Sequence, residues 1–560
     1  MKLPLISSAI TLKEIDQILD LVLSADLLLV TNSSSLMLTV ENRETKRTFH
    51  VHYIPADLLL SVQDENIYYG LGRQALNKCH HFTRDLHVDV QKGLVLDDPK
   101  KSPIRVKRAD LRILSISFLG VEIEREVYRV KHALSIVNFE INIEHRMASA
   151  ERAIPKWIKV ELFQQVFEEI ISGYRQTKEF EVKEALPPGE NYATIMLRIK
   201  AGIELMDGSI KSCNFMLKTA HSSEMLREMM DRFDMFDTET DMYRFIIPEL
   251  EQMYTQVGVN VKFSCKFYKL PDIDESYVLL EDLKCRGFKN ANRLEGLDIN
   301  HTKHVLKKLA QWHAASATRV TTKGPYDEKY MKSYFKPEGF EAMKSMFANV
   351  TKYFISCVSS YNGYEEYYED LCKIEKLLMD ELYKLNEIDE NDFNALNHGD
   401  AWCNNIMFQT DDNDDVLETY LVDYQLPKYG TVAQDLYYFL LSSTKYEIKL
   451  KHFDYLISYY HENLVKHLRL LNYPNKLPTL KGIHMQLLKH GVWGLTSTCG
   501  ILAAVLLDPT EKANLDNFMS ANDVAVDFKM QMFSNPRYRK HAEALLPWLY
   551  YRGALEISSK

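Results

Sequence analysis

Apolar and polar positions alternate in short runs along the first 150 residues. "DLLLVTN" (26–32), "SLMLTVEN" (35–42) and "TFHVHYI" (48–54) carry the period-two pattern of a half-buried strand, with turn clusters "NSSS" and "ENRETK" between them. "LRILSISFLGVEI" (111–123) and "ALSIVNFEINIEH" (133–145) repeat it. "LKEIDQILDLVLS" (12–24) has helical spacing instead, so a short amphipathic helix is expected ahead of an antiparallel meander. No catalytic motif lies here. The pattern suggests a small pleckstrin-like adaptor domain whose protein partner the residues do not name.

The pattern changes after "EHRMASAERAIPKW" (144–157), which is polar and rich in small residues. Met147 reads like the start of an independent chain, so 1–150 is expected to be an added domain or a fused reading frame. Beyond it, "WIKVELFQQVFEEIISGY" (157–174) is helical by period, and "NYATIMLRIKAGIELMDGSIKSCNFMLKTA" (191–220) reads as three strands with a hairpin at "MDGS". "SEMLREMMDRFDMFDTETDMYRFIIPELEQMY" (223–254) is helical as far as Pro248, and "KFSCKFYKL" and "SYVLLEDL" are two further strands. After about residue 298 the chain is mainly helical, apart from a hairpin-like region at 396–424. The expected class is α+β: a five-stranded small lobe (153–283), a mainly helical large lobe (284–560), and the extra strand-rich domain (1–150). A cleft between two such lobes is a usual ligand site.

Composition narrows the function. A net charge of -10 over 560 residues argues against nucleic acid as a partner. Eight dispersed cysteines without a CxxC pair suit reduced thiols and a cytoplasmic location. The N-terminus lacks the apolar core of a signal peptide, and "VWGLTSTCGILAAVLL" (492–507) is shorter than a membrane span and is expected to be a buried helix.

The candidate chemistry lies in "NHGDAWCNNIMF" (397–408) and "YLVDYQ" (420–425). "NIMF" and "TYLVDY" are strand-like, and the "QTDDNDDVLE" between them is turn chemistry. Pairing them brings Asn405 next to Asp423, an oxygen-only pair of the kind Mg²⁺ accepts when substrate phosphates and water complete its shell. Asp400, in the turn before Asn405, is placed to take a proton from a substrate hydroxyl during phosphoryl transfer, with His398 and Gly399 shaping the loop. The acidic run Asp411–Asp415 lacks the calcium-loop pattern and reads as a solvated turn.

Four further features agree. Lys218 lies in an apolar strand, where it would hold ATP phosphates; Glu239 on the next helix is placed to pair with it. "PPGENYAT" (187–194), with Gly189, Asn191 and Tyr192, offers backbone amides to phosphates. "VLLEDL" (278–283) ends in an acidic linker, Glu281, Asp282 and Leu283, that offers backbone groups to adenine. A serine hydrolase is disfavoured, since no GxSxG is present. A metal site in "KCHHFTRDLH" is disfavoured because adjacent histidines on a strand point apart.

Taken together, "GENYAT", "FMLKTA", "FDTETDMYRFIIPE", "VLLEDLKCRGF", "LAQWHAAS", "NHGDAWCNNIMF" and "LVDYQLPKYGTVAQDLYYFL" resemble the ecdysteroid-kinase-like (CHK-kinase-like) proteins, relatives of aminoglycoside phosphotransferases and choline kinases. The resemblance spans 153–560. It implies a protein-kinase-like fold and ATP- and Mg²⁺-dependent phosphorylation of a small-molecule hydroxyl. By motif, Asp400 looks like the catalytic base, Asn405 and Asp423 the magnesium ligands, Lys218 and Glu239 the phosphate-anchoring pair, and Glu281 to Leu283 the adenine hinge. Asp435 is expected to brace the large lobe and His313 to be a satisfied core histidine. An aromatic segment, "YFISCVSSYNGYEEYY" (353–368), suits an apolar alcohol such as an ecdysteroid, or else ordinary helical packing. The competing reading is a non-catalytic nucleotide- or small-molecule-binding protein that keeps the fold.

Overall fold

A computed structural model describes residues 154–556 apart from 186–193, 221–226, 228–229, 272, 333–334, 386, 511, 514–516, 519 and 521, together with the backbone of nine strands between residues 10 and 144. The chain divides into two compact units, Met1–Ile154 and Pro155–Lys560. Proline has no N–H to give to a strand ladder, which suits it to such a junction.

The first unit contains β1 (Ile10–Thr11), β2 (Asp20–Leu29), β3 (Ser35–Asn42), β4 (Thr48–Ile54), β5 (Ser61–Gln63), β6 (Asn66–Gly70), β7 (Cys79–Asp85), β8 (Leu111–Leu119) and β9 (Leu134–Glu144). They divide into a six-stranded sheet, β1-β8-β3-β4-β6-β5, and a three-stranded sheet, β7-β2-β9. The expected meander survives only as the β3–β4 hairpin, since β4 and β6 pair in parallel and β2 joins the other sheet. The expected helix over 12–24 is also corrected: 20–24 begin β2. "DLVLS" alternates as well as it spirals, and pairing with β7 and β9 settled the choice. The side chains of "KCHHFTRDLH" lie outside the described residues.

The second unit opens with a 3₁₀ turn (Val160–Phe163) and the helix Gln164–Ile170; Phe163 and Phe167 pack, tilted, against Phe215 of the following sheet. That sheet is antiparallel, in the order β10 (Tyr174–Glu184), β11 (Thr194–Leu205), β12 (Ile210–Ala220), β14 (Tyr277–Glu281), β13 (Phe267–Tyr268). The span expected to hold three strands holds two long ones, because Gly202 does not break the ladder: it pairs with Glu179 on one side and Ser212 on the other. The turn between them places Gly208 at φ +83°, a left-handed conformation glycine adopts without strain, and Asp207 Oδ1 accepts from Ser209 N at 2.9 Å.

The following helix does not stop at Pro248. It runs from Met235–Asp241 through a π segment, Met242–Ile246, into Ile247–Gln256. The π segment ends two residues before the proline, where a widened turn absorbs the missing N–H and the ring clash.

The remainder is built on the helix Ile299–Lys323, which packs against Phe453–Leu470. Trp312, fully buried, sits edge-on to Phe263 (5.1 Å) and donates Nε1–H to Leu396 O at 2.6 Å. Truncating such a residue to alanine costs about 3–5 kcal/mol, so this contact fixes the helix against the strand that leads into the candidate site. A three-stranded sheet, β15 (Phe288–Lys289), β17 (Ile406–Thr410) and β18 (Val416–Leu421), and a two-stranded one, β16 (Asn394–Asn397) with β19 (Lys428–Thr431), interrupt the helices. The apolar stretch 492–507 is two helices, Val492–Cys499 and Ile501–Leu506, broken at Gly500. No helix of the described residues is long and apolar enough to cross a membrane. In the aromatic segment, Phe354, Tyr361 and Tyr367 are buried, and Tyr361 Oη donates to Phe533 O at 2.6 Å. Those rings are used in packing.

Candidate active site

The β17–β18 hairpin sets the first convergence. Ile406 pairs with Leu421, and Val422 N donates to Asn405 O at 3.0 Å. Asp423, the next residue, turns out of the strand with φ +68°, an uncommon conformation for a residue with a Cβ. Its Oδ1 accepts from Lys218 Nζ at 2.6 Å.

Lys218 lies in β12, paired with Met196 of β11 and Val278 of β14, so its backbone position is fixed by ladders on both sides. The side chain is buried. Its three donors meet Asp423, Glu239 Oε2 at 2.7 Å and Gln425 Oε1 at 3.2 Å, which satisfies the ammonium. Burial pushes the Lys218 pKa down, but Asp423 and Glu239 outweigh it and the net shift is upward. Burial raises Glu239, with the Lys218 ammonium opposing the rise and Asp423 adding to it. Two carboxylates account for the rise at Lys218, and burial for the rise at Glu239.

Asp400 is placed by a second network. Asp435, fully buried on the helix Ala433–Ser443, accepts from His398 N at 2.7 Å and from Gly399 N at 2.9 Å. Burial alone would raise the Asp435 carboxyl, but His313 and its other hydrogen bonds hold it below the ordinary value. His313 lies 3.2 Å from Asp435 through Nε2 and 2.8 Å from Tyr460 Oη through Nδ1, so it is a satisfied core histidine. Gly399 has φ +80°, and a Cβ there would lie 1.9 Å from Leu426 O. Only glycine fits. His398 Nε2 lies 3.1 Å from Val422 O, and Nδ1 accepts from Asp400 N at 3.3 Å. This one ring ties the Asp400 loop to the strand end that carries Asp423.

The Asp400 carboxylate is held at both oxygens. Asn405 Nδ2 donates to Oδ2 at 2.9 Å and to the Asp400 carbonyl at 3.0 Å, and Tyr438 Oη donates to Oδ1. Burial, then the charge on Asp423, push the Asp400 pKa up, against the hydrogen bonds from Tyr438 and Asn405.

The donor set suits a hard cation. Asn405 commits its Nδ2 to Asp400, which leaves Oδ1 available as a metal ligand, and its backbone pairs with Val422, the residue before Asp423. Among the described residues no group of three or more His, Cys, Asp or Glu could hold a metal unaided. Two oxygen side chains beside a lysine fit Mg²⁺ sharing its shell with phosphates and water, and are too few for a protein-only cage.

Residues 188–473, a little over half of the chain, match the ecdysteroid kinase-like family. The chain belongs to that family. The membership carries with it a kinase-like fold and places all of Lys218, Glu239, Asp400, Asn405 and Asp423 inside the matched span. Residues 4–121 match the β-sandwich domain of D-glucuronyl C5-epimerase. That match replaces the pleckstrin-like expectation: alternation marks strands but does not say how they divide between sheets.

Other expected site residues of this ecdysteroid kinase-like chain fall differently. Gly189, Asn191 and Tyr192 lie outside the described residues. Asp282 is buried, and its carboxylate is occupied by Arg198 Nε (2.7 Å) and Lys284 N (3.2 Å). Glu281 pairs with Arg286 at 3.3 Å, and the Leu283 side chain is buried. Asp411 caps its own turn by accepting from Asn413 N and Asp415 N, both at 2.9 Å. Gln425 and Tyr438 were missed. Gln425 follows Asp423 by two residues, and Tyr438 follows Asp435 by three on one helical face. Both spacings were visible, but neither residue type announces its partner.

Proposed function

We propose that this chain is an ATP-dependent small-molecule kinase, with a small lobe over residues 153–283 and a large lobe over 284–560. The acceptor is a hydroxyl of an apolar alcohol of the ecdysteroid kind. The observation that carries the reading is the meeting of Lys218, Glu239 and Asp423 beside the Asp400–Asn405 pair. The acceptor class rests on the family match alone.

In this reading Lys218, oriented by Glu239, holds nucleotide phosphates, and the backbone from Glu281 to Leu283 holds adenine. Gly189, Asn191 and Tyr192 cover the phosphates. Asn405 and Asp423 would hold Mg²⁺, which when bound neutralises phosphate charge. Asp400 orients the acceptor hydroxyl and takes its proton at the carboxylate. His398 and Asp435 keep the loop in place. The free thiols, Cys265, Cys357, Cys403 and Cys499 among them, accord with the cytoplasm as its location.

The test is ADP formation with MgATP across ecdysteroids, choline-like alcohols and phenols. An acceptor-dependent rate lost in Asp400→Asn supports the reading. ATP binding with no turnover on any acceptor would instead indicate the non-catalytic alternative.

A further inference from the structure

Two side chains of the helix Ala433–Ser443, Asp435 and Tyr438, reach the stretch from His398 to Asp400. Asp435 grips the backbone at His398 and Gly399. Three residues on, and so on the same helical face, Tyr438 reaches the Asp400 side chain with its hydroxyl. Every other residue of this helix is buried; Tyr438 is the exception, partly exposed.

We infer that Tyr438 is a positioning residue for phosphoryl transfer: its hydroxyl and the Asn405 amide clamp the Asp400 carboxylate from opposite oxygens. The inference rests on the kinase reading above. A carboxylate offers about four acceptor directions. Asn405 Nδ2 takes one on Oδ2 and Tyr438 Oη one on Oδ1, so rotation about the Cβ–Cγ bond breaks both bonds. The remaining lone pairs then point in fixed directions, and an acceptor hydroxyl has one bonding geometry instead of several. Such preorganisation acts on the chemical step more than on nucleotide affinity. Tyr438 itself neither gains nor loses a proton in the reaction. Its role differs from that of Asp435, which fixes the loop backbone and never meets the carboxylate.

The test is a double-mutant cycle in the full chain between Tyr438→Phe and Asp400→Asn, read as ADP formation with MgATP and with water or the panel alcohols as acceptor. Phenylalanine keeps the ring and its packing, so melting temperature and ATP-induced thermal shift should stay near wild type. The expected result is a kcat lowered about tenfold, as for loss of one hydrogen bond to a charged group, with the KM for ATP within about twofold. In the Asp400→Asn background the same change should cost nothing, since the proton acceptor that Tyr438 positions is gone. An unchanged kcat in Tyr438→Phe overturns the inference while leaving the kinase reading intact. So does an equal loss in both backgrounds. Full turnover by Asp400→Asn, or no ADP formation by the wild-type chain, overturns both.

Discussion

Lys218 and Asp423 lie 205 residues apart in the chain, and their side chains meet at 2.6 Å. One comes from the middle strand of the five-stranded sheet, the other from the residue after a hairpin in the helical part. Their contact joins the two halves of the candidate site.

Replacing Asp423 by alanine should weaken MgATP binding at least tenfold, because it removes one of two proposed oxygen ligands. Lys218 keeps Glu239 and Gln425, so the fold should survive. Titration with MgATP against ATP in chelator is the check. An unaltered magnesium dependence contradicts the assignment.

Asp400→Asn keeps the shape of the loop and removes the proton acceptor. Phosphoryl transfer should fall by roughly 10²–10⁴-fold, the usual worth of a general base, while the thermal shift with ATP persists. Turnover near wild type excludes the assigned role.

Gly399→Ala places a Cβ 1.9 Å from Leu426 O in a left-handed backbone. Overlap and strain together should cost about 2–4 kcal/mol. Thermal unfolding would show it as a lowered melting temperature. Ordinary stability of the variant means that this loop can relax.

His467 is buried against Tyr254, and neither ring nitrogen has a hydrogen-bond partner among the described residues. Burial, then the charges on Lys466, Lys307 and Lys308, push its pKa down to about 4 from 6.5. The unfolded chain therefore takes up this proton near pH 6.5 and the folded chain only near pH 4. Stability from this group is intact above pH 6.5 and is lost as pH falls from 6.5 towards 4. His467→Phe loses no hydrogen bond and cannot be protonated. It should gain on the order of 1 kcal/mol relative to wild type at pH 5 and little at pH 8. Denaturant titrations at both pH values measure this; an equal effect at both argues against burial as the cause.

Residues 155–560 have their own core and should fold without the first unit, keeping the ATP-induced thermal shift. Insolubility of that segment beside a soluble full chain would make the first unit integral.

Legibility differed by element. The β17–β18 hairpin was readable because a polar turn separates two short apolar runs, and register then follows from pairing. The strand–helix pair that carries Lys218 and Glu239 was readable for a similar local reason. The helix through Pro248 was not, since a π segment leaves no clear signal in periodicity. The first unit's sheets were not readable either, because β2 pairs with β7 and β9, far along the chain. Arg198 on Asp282 and Gln425 on Lys218 were equally hidden: common polar residues whose partners only folding supplies.

By itself the sequence determined the local periods, the turn chemistry and a set of polar residues too specific in order to be chance, because these depend on neighbours a few positions apart. The tertiary structure alone decided which strands share a sheet, that Gly399 packs against Leu426, and that Tyr438 ends on Asp400. Those outcomes depend on distances between parts of the chain that are remote in order, and close packing, rather than local preference, sets them.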